Sequence, residues 1–170
     1  ILALEEAAGQ VKSALSLDDS FKYGLTVALY MPPAELNLED KIKSVEEQII
    51  LFEENYNKYN FKNIELIGYY WFDEGVYPKE NEPELVMAVS DMVHEKGLDF
   101  IWIPWFCASG VDSWQDFGFD VACMQPGYVF KEEVLESRLE YAANMAKYYG
   151  MGIEIEIASA TFNNANLYRR

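Results

Sequence analysis

The chain is 170 residues long and carries 29 acidic against 13 basic residues, which gives a formal net charge of −16. This excess of negative charge argues against nucleic acid and against an anionic membrane surface as partners. Hydrophobic residues make up 51% of the chain, enough for one core without a metal or a disulfide, so we predict a single domain over residues 1–170. No apolar run reaches the roughly 20 residues that a membrane span needs.

The first half of the chain predicts two helices and the first strand. Apolar residues recur at three- and four-residue steps over residues 1–15, which is typical of an amphipathic helix. Residues 25–31 are apolar, rich in β-forming residues and followed by Pro32, as in a strand buried on both faces. Asn37 is a suitable N-cap for a long helix. The buried stripe of that helix is expected to comprise Leu38, Ile42, Val45, Ile49, Phe52, Tyr56 and Tyr59.

The second half repeats the alternation of strand and helix. Strands are predicted at 64–72, 100–104, 119–124 and 151–157, and helices at 83–96 and 131–149. Gly97 and Gly150 are expected to end the two helices in the left-handed conformation. Only a turn or so of helix, at 113–117, fits between the third and fourth strands. This order predicts an α/β fold with about five parallel strands and intervening helices.

The residues after the strands favour part of a barrel over an open doubly wound sheet. No glycine-rich phosphate loop follows any strand, so nucleotide binding of the usual doubly wound kind is not supported. Bulky polar and aromatic residues follow the strands instead, as on the active face of a (β/α)8 TIM-type barrel. Such a barrel needs about 250 residues and eight strands. We therefore interpret residues 1–170 as the central part of a barrel that lacks at least one strand upstream and further strands downstream.

Two acidic motifs are the candidates for chemistry. In Gly-Ile-Glu-Ile-Glu-Ile, residues 152–157, the alternation turns the isoleucines to one side and both Glu154 and Glu156 to the other. We expect these glutamates to point towards the barrel axis; the alternative is the solvated face of an edge strand. A second strand ends in Asp73 and Glu74 among aromatic rings, although Asp73 could instead cap a turn.

Paired carboxylates across a barrel axis suit the hydrolysis of glycosidic bonds. One carboxyl group protonates the leaving oxygen while the other attacks or activates water. We predict Glu74 as the general acid/base, Glu156 as the nucleophile or second carboxylate, and Glu154 as an orienting residue. The predicted ligand contacts are Trp71, Asp73, Trp105, Gln125, Tyr128 and Tyr30. Tyr69, Tyr70, Trp102 and Trp114 form a wider set of rings that either line the pocket or pack in the core.

The histidine and cysteine content argues against a zinc cluster and a multi-histidine metal site, and we predict no cofactor. A Ca²⁺ or Mg²⁺ site made of carboxylates alone is an open alternative, although no ordered Asp-x-Asp loop supports it. His94 is the only histidine, and we interpret it as a surface residue and as evidence against a histidine-based triad and a multi-histidine metal site. Cys107 and Cys123 are too few for a zinc cluster and are expected to be buried free thiols.

Four runs resemble one known family in order, spacing and content. They are IGYYWFDEGVY (67–77), DFIWIPWFCASGVDSW (99–114), FGFDVACMQPGYVF (117–130) and YYGMGIEIEI (148–157), and they are similar to the family called domain of unknown function 4855. The resemblance implies a barrel like those of sugar hydrolases and a bacterial, secreted or cell-surface setting. Where that family runs Gln-Pro-Asn-Tyr, this chain has Gly127 in place of the asparagine, which puts one polar ligand contact in doubt.

The sequence as a whole predicts a glycoside-hydrolase-like barrel that acts on polysaccharide or oligosaccharide. A non-catalytic carbohydrate-binding barrel is the alternative, and a scaffold without a pocket of its own is a third possibility. The sequence does not define the oligomeric state.

Overall fold

The computed structural model of the chain describes residues 1–79 and 81–157. Its helices are α1 (Leu2–Ala14), α2 (Leu38–Tyr56), α3 (Glu82–His94) and α4 (Ser137–Tyr149), and its strands are β1 (Tyr23–Leu29), β2 (Ile64–Trp71), β3 (Asp99–Trp102), β4 (Val121–Met124) and β5 (Gly152–Ile153). A 3₁₀ turn at Val111–Ser113 lies between β3 and β4. Over these residues, none of the helices has both the length and the apolar character that crossing a bilayer would require.

The strands form one parallel sheet in the order β1-β2-β3-β4-β5. Trp71 of β2 is in register with Leu29 of β1 and with Trp102 of β3, and Met124 of β4 is in register with Ile153 of β5. The predicted α/β class, the five parallel strands and the alternating helices are therefore confirmed. The described strands form an open sheet, with β1 at one edge and β5 at the other.

The two faces of the sheet differ in what covers them. One face is packed with buried rings, including those of Tyr69, Trp71 and Phe100, against apolar side chains of α2, α3 and α4. The opposite face exposes Tyr30 and Phe72. Because neighbouring residues of a strand point to opposite faces, Tyr70 lies on the open side of β2.

A bulge in β2 keeps the buried face apolar along the whole strand. Leu25 pairs with Leu66 but Thr26 pairs with Gly68, so β2 has one extra residue at Ile67. One inserted residue inverts the alternation, and Leu66 before the bulge and Tyr69 after it both face the helices. Gly68 also permits the close approach of β3, because an added Cβ would lie 2.3 Å from the carbonyl oxygen of Asp99.

The predicted N-cap of α2 and the left-handed glycines after α3 and α4 are confirmed. The side chain of Asn37 accepts a hydrogen bond from the Asp40 N–H at 3.0 Å, which satisfies one of the free donors at the start of α2. Gly97 and Gly150 have φ angles of +70° and +69°, so both adopt the left-handed conformation expected of a residue that follows a helix.

Other predicted details were wrong. Helix α4 begins at Ser137 instead of residue 131, and β5 is only two residues long, Gly152–Ile153. Ile155 and Ile157 were expected to face the helices but are 89% and 69% exposed, because both follow the end of β5 at Ile153 and neither packs against the described core. Cys107 is exposed instead of buried, because it follows β3 in a surface loop.

Helix α1 forms where it was predicted, but its apolar stripe stays exposed. Leu4, Val11 and Leu15 are 53%, 45% and 63% exposed. What holds α1 in place is Glu5, whose carboxylate accepts backbone hydrogen bonds from Lys62 at 2.9 Å, Asn63 at 3.1 Å and Ile64 at 3.2 Å. The amino end of β2 is thus attached to α1 through one charged side chain.

We expect Glu5→Ala to lower the free energy of unfolding by about 1 kcal/mol, the low end of the range for a charged acceptor because the site is partly exposed. Burial acts to raise the pKa of Glu5, but the hydrogen bonds from Lys62, Asn63 and Ile64 outweigh it and lower the pKa below the usual 4.5. The contribution of Glu5 is therefore present above the unfolded-state pKa and is lost as pH falls through the folded-state pKa.

Urea unfolding at neutral and at acidic pH measures this effect. Glu6→Ala is the matched control, since Glu6 is exposed on the same turn of α1 and, over residues 1–79 and 81–157, accepts only a long side-chain contact from Gln10 at 3.5 Å. Equal losses in the two variants would show that Glu5 does not anchor the helix.

Candidate functional site

The carboxyl ends of the strands bring the predicted acidic residues to one edge of the sheet. Glu74 follows β2, Gln125 follows β4, and Glu154 and Glu156 follow β5. Because the strands are parallel and adjacent, these side chains belong to a single surface. We call this surface, formed by Tyr70, Glu74, Gln125, Glu154 and Glu156, the acidic edge.

Glu74 lies in an open cavity of about 340 Å³. Its Oε1 atom is 3.4 Å from Nε2 of Gln125, which also donates to the carbonyl oxygen of Ile103 at 2.9 Å. Trp105, 39% exposed, forms part of the cavity wall. The other lining residues are Phe72, Asp73, Gly75 and Tyr77. The predicted residues Glu74, Asp73, Trp105 and Gln125 are therefore brought together.

Tyr70 is the residue on which the acidic edge acts most clearly. Burial, with the negative charges of Glu74, Glu154 and Asp73, raises the pKa of Tyr70 to about 12. The phenol therefore keeps its proton at neutral pH and is a hydrogen-bond donor among carboxylates. Glu74 and Glu154 lie close enough to the same phenol for both charges to affect it.

Glu154 shares the open face of the sheet with Gln125. Its backbone N–H donates to the carbonyl oxygen of Met124 at 2.9 Å and so extends the pairing of β5 with β4. Cys123 pairs with Gly152 in this register, which puts Gly152 and Glu154 on the face opposite the helices. The pairing gives the face on which Glu154 lies, and its predicted position towards a barrel axis stays a prediction.

Glu156 is tied to the backbone of the loop that follows β4. Its Oε2 atom accepts a hydrogen bond from the N–H of Gly127 at 2.6 Å, and the N–H of Tyr128 also donates to the carboxylate. Its Oε1 atom is buried and has no hydrogen-bond partner among the residues that the structure describes. Burial raises the pKa of Glu156, and the charges of Glu154 and Glu74 raise it further against the two backbone hydrogen bonds.

Asp73 and Tyr30 lie beside the Glu74 cavity. Burial raises the pKa of Asp73, although a hydrogen bond from the Met31 N–H opposes the shift. Tyr30 is 54% exposed, and its ring centroid lies 4.7 Å from that of Phe72. The two rings form an exposed aromatic surface next to Glu74.

The structure does not bring two of the predicted ligand contacts into this surface. Trp71 is fully buried on the helix-facing side of β2, and its ring packs edge-on against Phe100 at 6.3 Å. Tyr128 is only 4% exposed. Both rings therefore belong to the packing around the site in this conformation.

A larger cavity of about 830 Å³ lies on the other side of the Trp105–Phe106 pair. Phe106 lines it, whereas Trp105 lines the Glu74 cavity, and the two rings meet edge to face at 5.4 Å. Gly127, with a φ of +62°, also lines the larger cavity, and a Cβ there would lie 3.8 Å from Nη1 of Arg138. A side chain at position 127 would therefore point towards Arg138.

His94 is exposed, as predicted, but its ring also lies between Ser90 and Asp120, which the sequence did not predict. Its Nδ1 atom is 3.4 Å from Oγ of Ser90, and its Nε2 atom is 2.8 Å from Oδ2 of Asp120. Ser90 is only 2% exposed and donates its proton to the carbonyl oxygen of Gly118 at 2.9 Å. This serine is thus a buried structural donor, not an accessible nucleophile.

Metal ligands are not clustered in the part of the chain that the structure describes: no group of three or more histidine, cysteine, aspartate or glutamate side chains is arranged to hold an ion.

Sequence reasoning ranked three features of the site too low. Tyr70 was one of several unranked rings, and the burial of Trp71 next to it is the signal that turns Tyr70 to the open face. Phe72 was assigned only to a strand. Arg138 was not singled out, because its position beside Phe106 depends on the angle at which α4 crosses the sheet, which no local pattern encodes.

The raised pKa of Glu156 predicts a pH-dependent stability. When the pKa of a carboxyl group is raised on folding, its full contribution to the stability of the folded state is present below the unfolded-state pKa. That contribution is lost as pH rises through the folded-state pKa. We expect Glu156→Gln to have a flatter stability profile between the usual glutamate pKa of 4.5 and neutral pH. The variant should gain stability relative to the wild type as pH rises.

Urea midpoints across this pH range measure the effect. Glu47→Gln, on the exposed side of α2, is the control for removing one charge. A wild-type-to-variant difference that stays constant with pH would contradict the assignment.

No curated protein and no solved structure shows a significant match to the chain. A family model described as Domain of unknown function (DUF4855) matches residues 3–170. Since the match covers almost the whole chain, the protein belongs to the DUF4855 family.

Proposed function

We propose that the chain is a carbohydrate-active domain of glycoside-hydrolase type whose reacting carboxylates are Glu74 and Glu154. The observation that carries the proposal is the position of Glu74 in an open cavity beside the exposed ring of Trp105. Aromatic rings stack on the apolar faces of sugars, and carboxylates bind hydroxyl groups or transfer protons. Saccharides therefore match the chemistry of this cavity better than other small ligands do.

The proposed chemistry divides the reaction between two carboxyl groups. Glu74 protonates the glycosidic oxygen as the bond to the leaving sugar breaks, and Glu154 attacks the sugar carbon or activates a water molecule. Tyr70 remains protonated, with a pKa of about 12, and supplies a donor that orients one of the two carboxylates. Gln125, which is 3.4 Å from Glu74, positions the acid.

This division of roles differs from the sequence-based prediction, in which Glu156 was the nucleophile or second carboxylate. Glu156 already accepts the N–H groups of Gly127 and Tyr128, so it positions the loop after β4. Over the described residues, the carboxylate of Glu154 has no hydrogen bond or ion pair. A carboxylate without a structural partner is the better candidate for contact with a substrate.

A barrel is the finer fold that we propose for the sheet. In a doubly wound sheet the strand order reverses at the site, whereas here the five strands follow one another in sequence. Helices α2, α3 and α4 pack against one face, and the open face carries Tyr70 and Glu154, as the axis-facing side of a (β/α)8 barrel would. Since polysaccharides are too large to enter a bacterial cell, the proposal includes action outside the cytoplasm.

We expect Glu74→Gln and Glu154→Gln each to lower kcat on the hydrolysed glycan by about 10²- to 10⁴-fold, because each removes a group that transfers a proton or bonds to the reacting carbon. Glu156→Gln should lower it far less. Release of reducing sugar from a panel of neutral oligosaccharides measures turnover.

Glu47→Gln controls for the loss of one negative charge, and circular dichroism controls for folding. A fully active Glu74→Gln variant would end the proposal. If the Glu156→Gln variant is folded but inactive while the Glu154→Gln variant is active, Glu156 and not Glu154 is the nucleophile or second carboxylate.

The alternative is a non-catalytic carbohydrate-binding domain, favoured by the exposed rings of Tyr30 and Phe72 at 4.7 Å, which offer a stacking surface without any reaction. Under either function, Trp105→Ala should weaken oligosaccharide binding by about tenfold, because it removes an aromatic face from the cavity wall. Titration calorimetry with the Glu74→Gln variant measures binding without turnover.

Trp114→Phe is the control for losing an indole, since Trp114 is buried and donates to the carbonyl oxygen of Tyr149 at 2.8 Å. Binding by the wild type with no product after prolonged incubation would select the alternative. Unchanged affinity in Trp105→Ala would place the ligand elsewhere.

A further inference from the structure

The cavity of about 830 Å³ beside Phe106 is large enough for a sugar unit and is built differently from the acidic edge. Its walls combine aromatic side chains with two basic ones, Lys131 and Arg138, and one acidic one, Glu133. Phe106 and Tyr141 meet edge to face at 6.0 Å, and the guanidinium of Arg138 lies over the Phe106 ring at 4.7 Å. The ring of Phe106 thus holds Arg138 against the cavity wall.

Arg138 is unusual in a protein with a net charge of −16. It is partly buried, and its hydrogen bond to the carbonyl oxygen of Gly127 is long, at 3.4 Å. Among the residues that the structure describes, no carboxylate pairs with it. A guanidinium that is not paired with a carboxylate can bind a carboxylate or sulfate group through two parallel N–H donors.

The cavity adjoins the Glu74 cavity across a rigid wall. Trp105 forms a parallel bridge with Gln125, the Phe106 N–H donates to the carbonyl oxygen of Gln125 at 2.9 Å, and the Gln125 N–H donates to that of Pro104 at 2.8 Å. These bonds fix Trp105 towards one cavity and Phe106 towards the other. One oligosaccharide can therefore contact both cavities, with successive sugar units on either side of the wall.

From these contacts we propose that the cavity beside Phe106 binds an anionic sugar unit through Arg138. The unit carries a carboxylate or a sulfate group. It stacks on the aromatic wall, and its charge meets the guanidinium. The unit that occupies the Glu74 cavity is neutral, because Glu74, Glu154 and Glu156 repel negative charge there. The extension from a single sugar to an oligosaccharide rests on the proposed function. It narrows the substrate class to glycans that carry an acidic substituent on the unit next to the reacting one.

The experiment uses single sugars, so that it does not depend on turnover. Glucuronate, glucose 6-sulfate and glucose are titrated into the ¹⁵N-labelled protein, and amide shifts are followed by NMR. We expect glucuronate or the sulfate ester to shift the amides of Phe106, Gly127 and Arg138, and to bind at least about tenfold more tightly than glucose. A preference between the two anions identifies the substituent.

Arg138→Met keeps the stem that packs on Phe106 and removes the charge, so it should abolish the preference for the anionic sugars. Lys43→Met, which removes an exposed cation of α2, is the control for net charge. Glu74→Gln should retain the preference, which separates this inference from the proposed function. Equal binding of glucose and both anions, or an unchanged preference in Arg138→Met, would overturn the inference.

Discussion

The site depends on the different environments of the two faces of β2. Tyr69 and Trp71 must point to the helices because their rings fill the core, so Tyr70 has to point to the open side. The bulge at Ile67 makes this compatible with the apolar residues at the start of the strand. The position of Tyr70 among the carboxylates is thus a consequence of core packing, and the burial of Trp71 is part of what builds the site.

The loop after β4 depends on a second constraint, the backbone of Gly127. Its N–H donates to Glu156 and its carbonyl oxygen accepts from Arg138. A left-handed φ of +62° is needed to present the two groups in this way, and glycine adopts that conformation without strain. One residue therefore separates a region rich in carboxylates from a cavity that is lined by a guanidinium.

Local sequence patterns predicted the secondary structure because each element carried its own signals. The cap at Asn37, the helix ends at Gly97 and Gly150 and the alternation of strand and helix all depend on residues close together in the chain, and the parallel sheet followed from them. These predictions needed no knowledge of long-range contacts. The alternation in residues 152–157 is realised as a strand only at Gly152 and Ile153.

Features that depend on long-range contacts were not predictable in the same way. Whether Trp71 or Trp105 meets a ligand depends on which side the helices cover, and the two residues have similar sequence surroundings. The ranking of Glu154 and Glu156 depends on the backbone of Gly127, which lies 29 residues from Glu156 in the chain. The short length of β5 and the exposure of Ile155 depend on neighbouring elements, which a strand's own residues do not specify.

The amino ends of the strands, opposite the acidic edge, carry hydrogen bonds that stabilise the fold, and these affect which mutations the protein tolerates. There Asp120 accepts from the Phe100 N–H at 2.8 Å and from His94, and Glu5 holds the backbone before β2. Those contacts join strands and helices without facing either cavity. Because these contacts stabilise the fold at the amino ends of the strands, exposed side chains at the carboxyl ends, such as that of Trp105, can be substituted while the scaffold is kept, whereas the backbone around Gly127 cannot change freely.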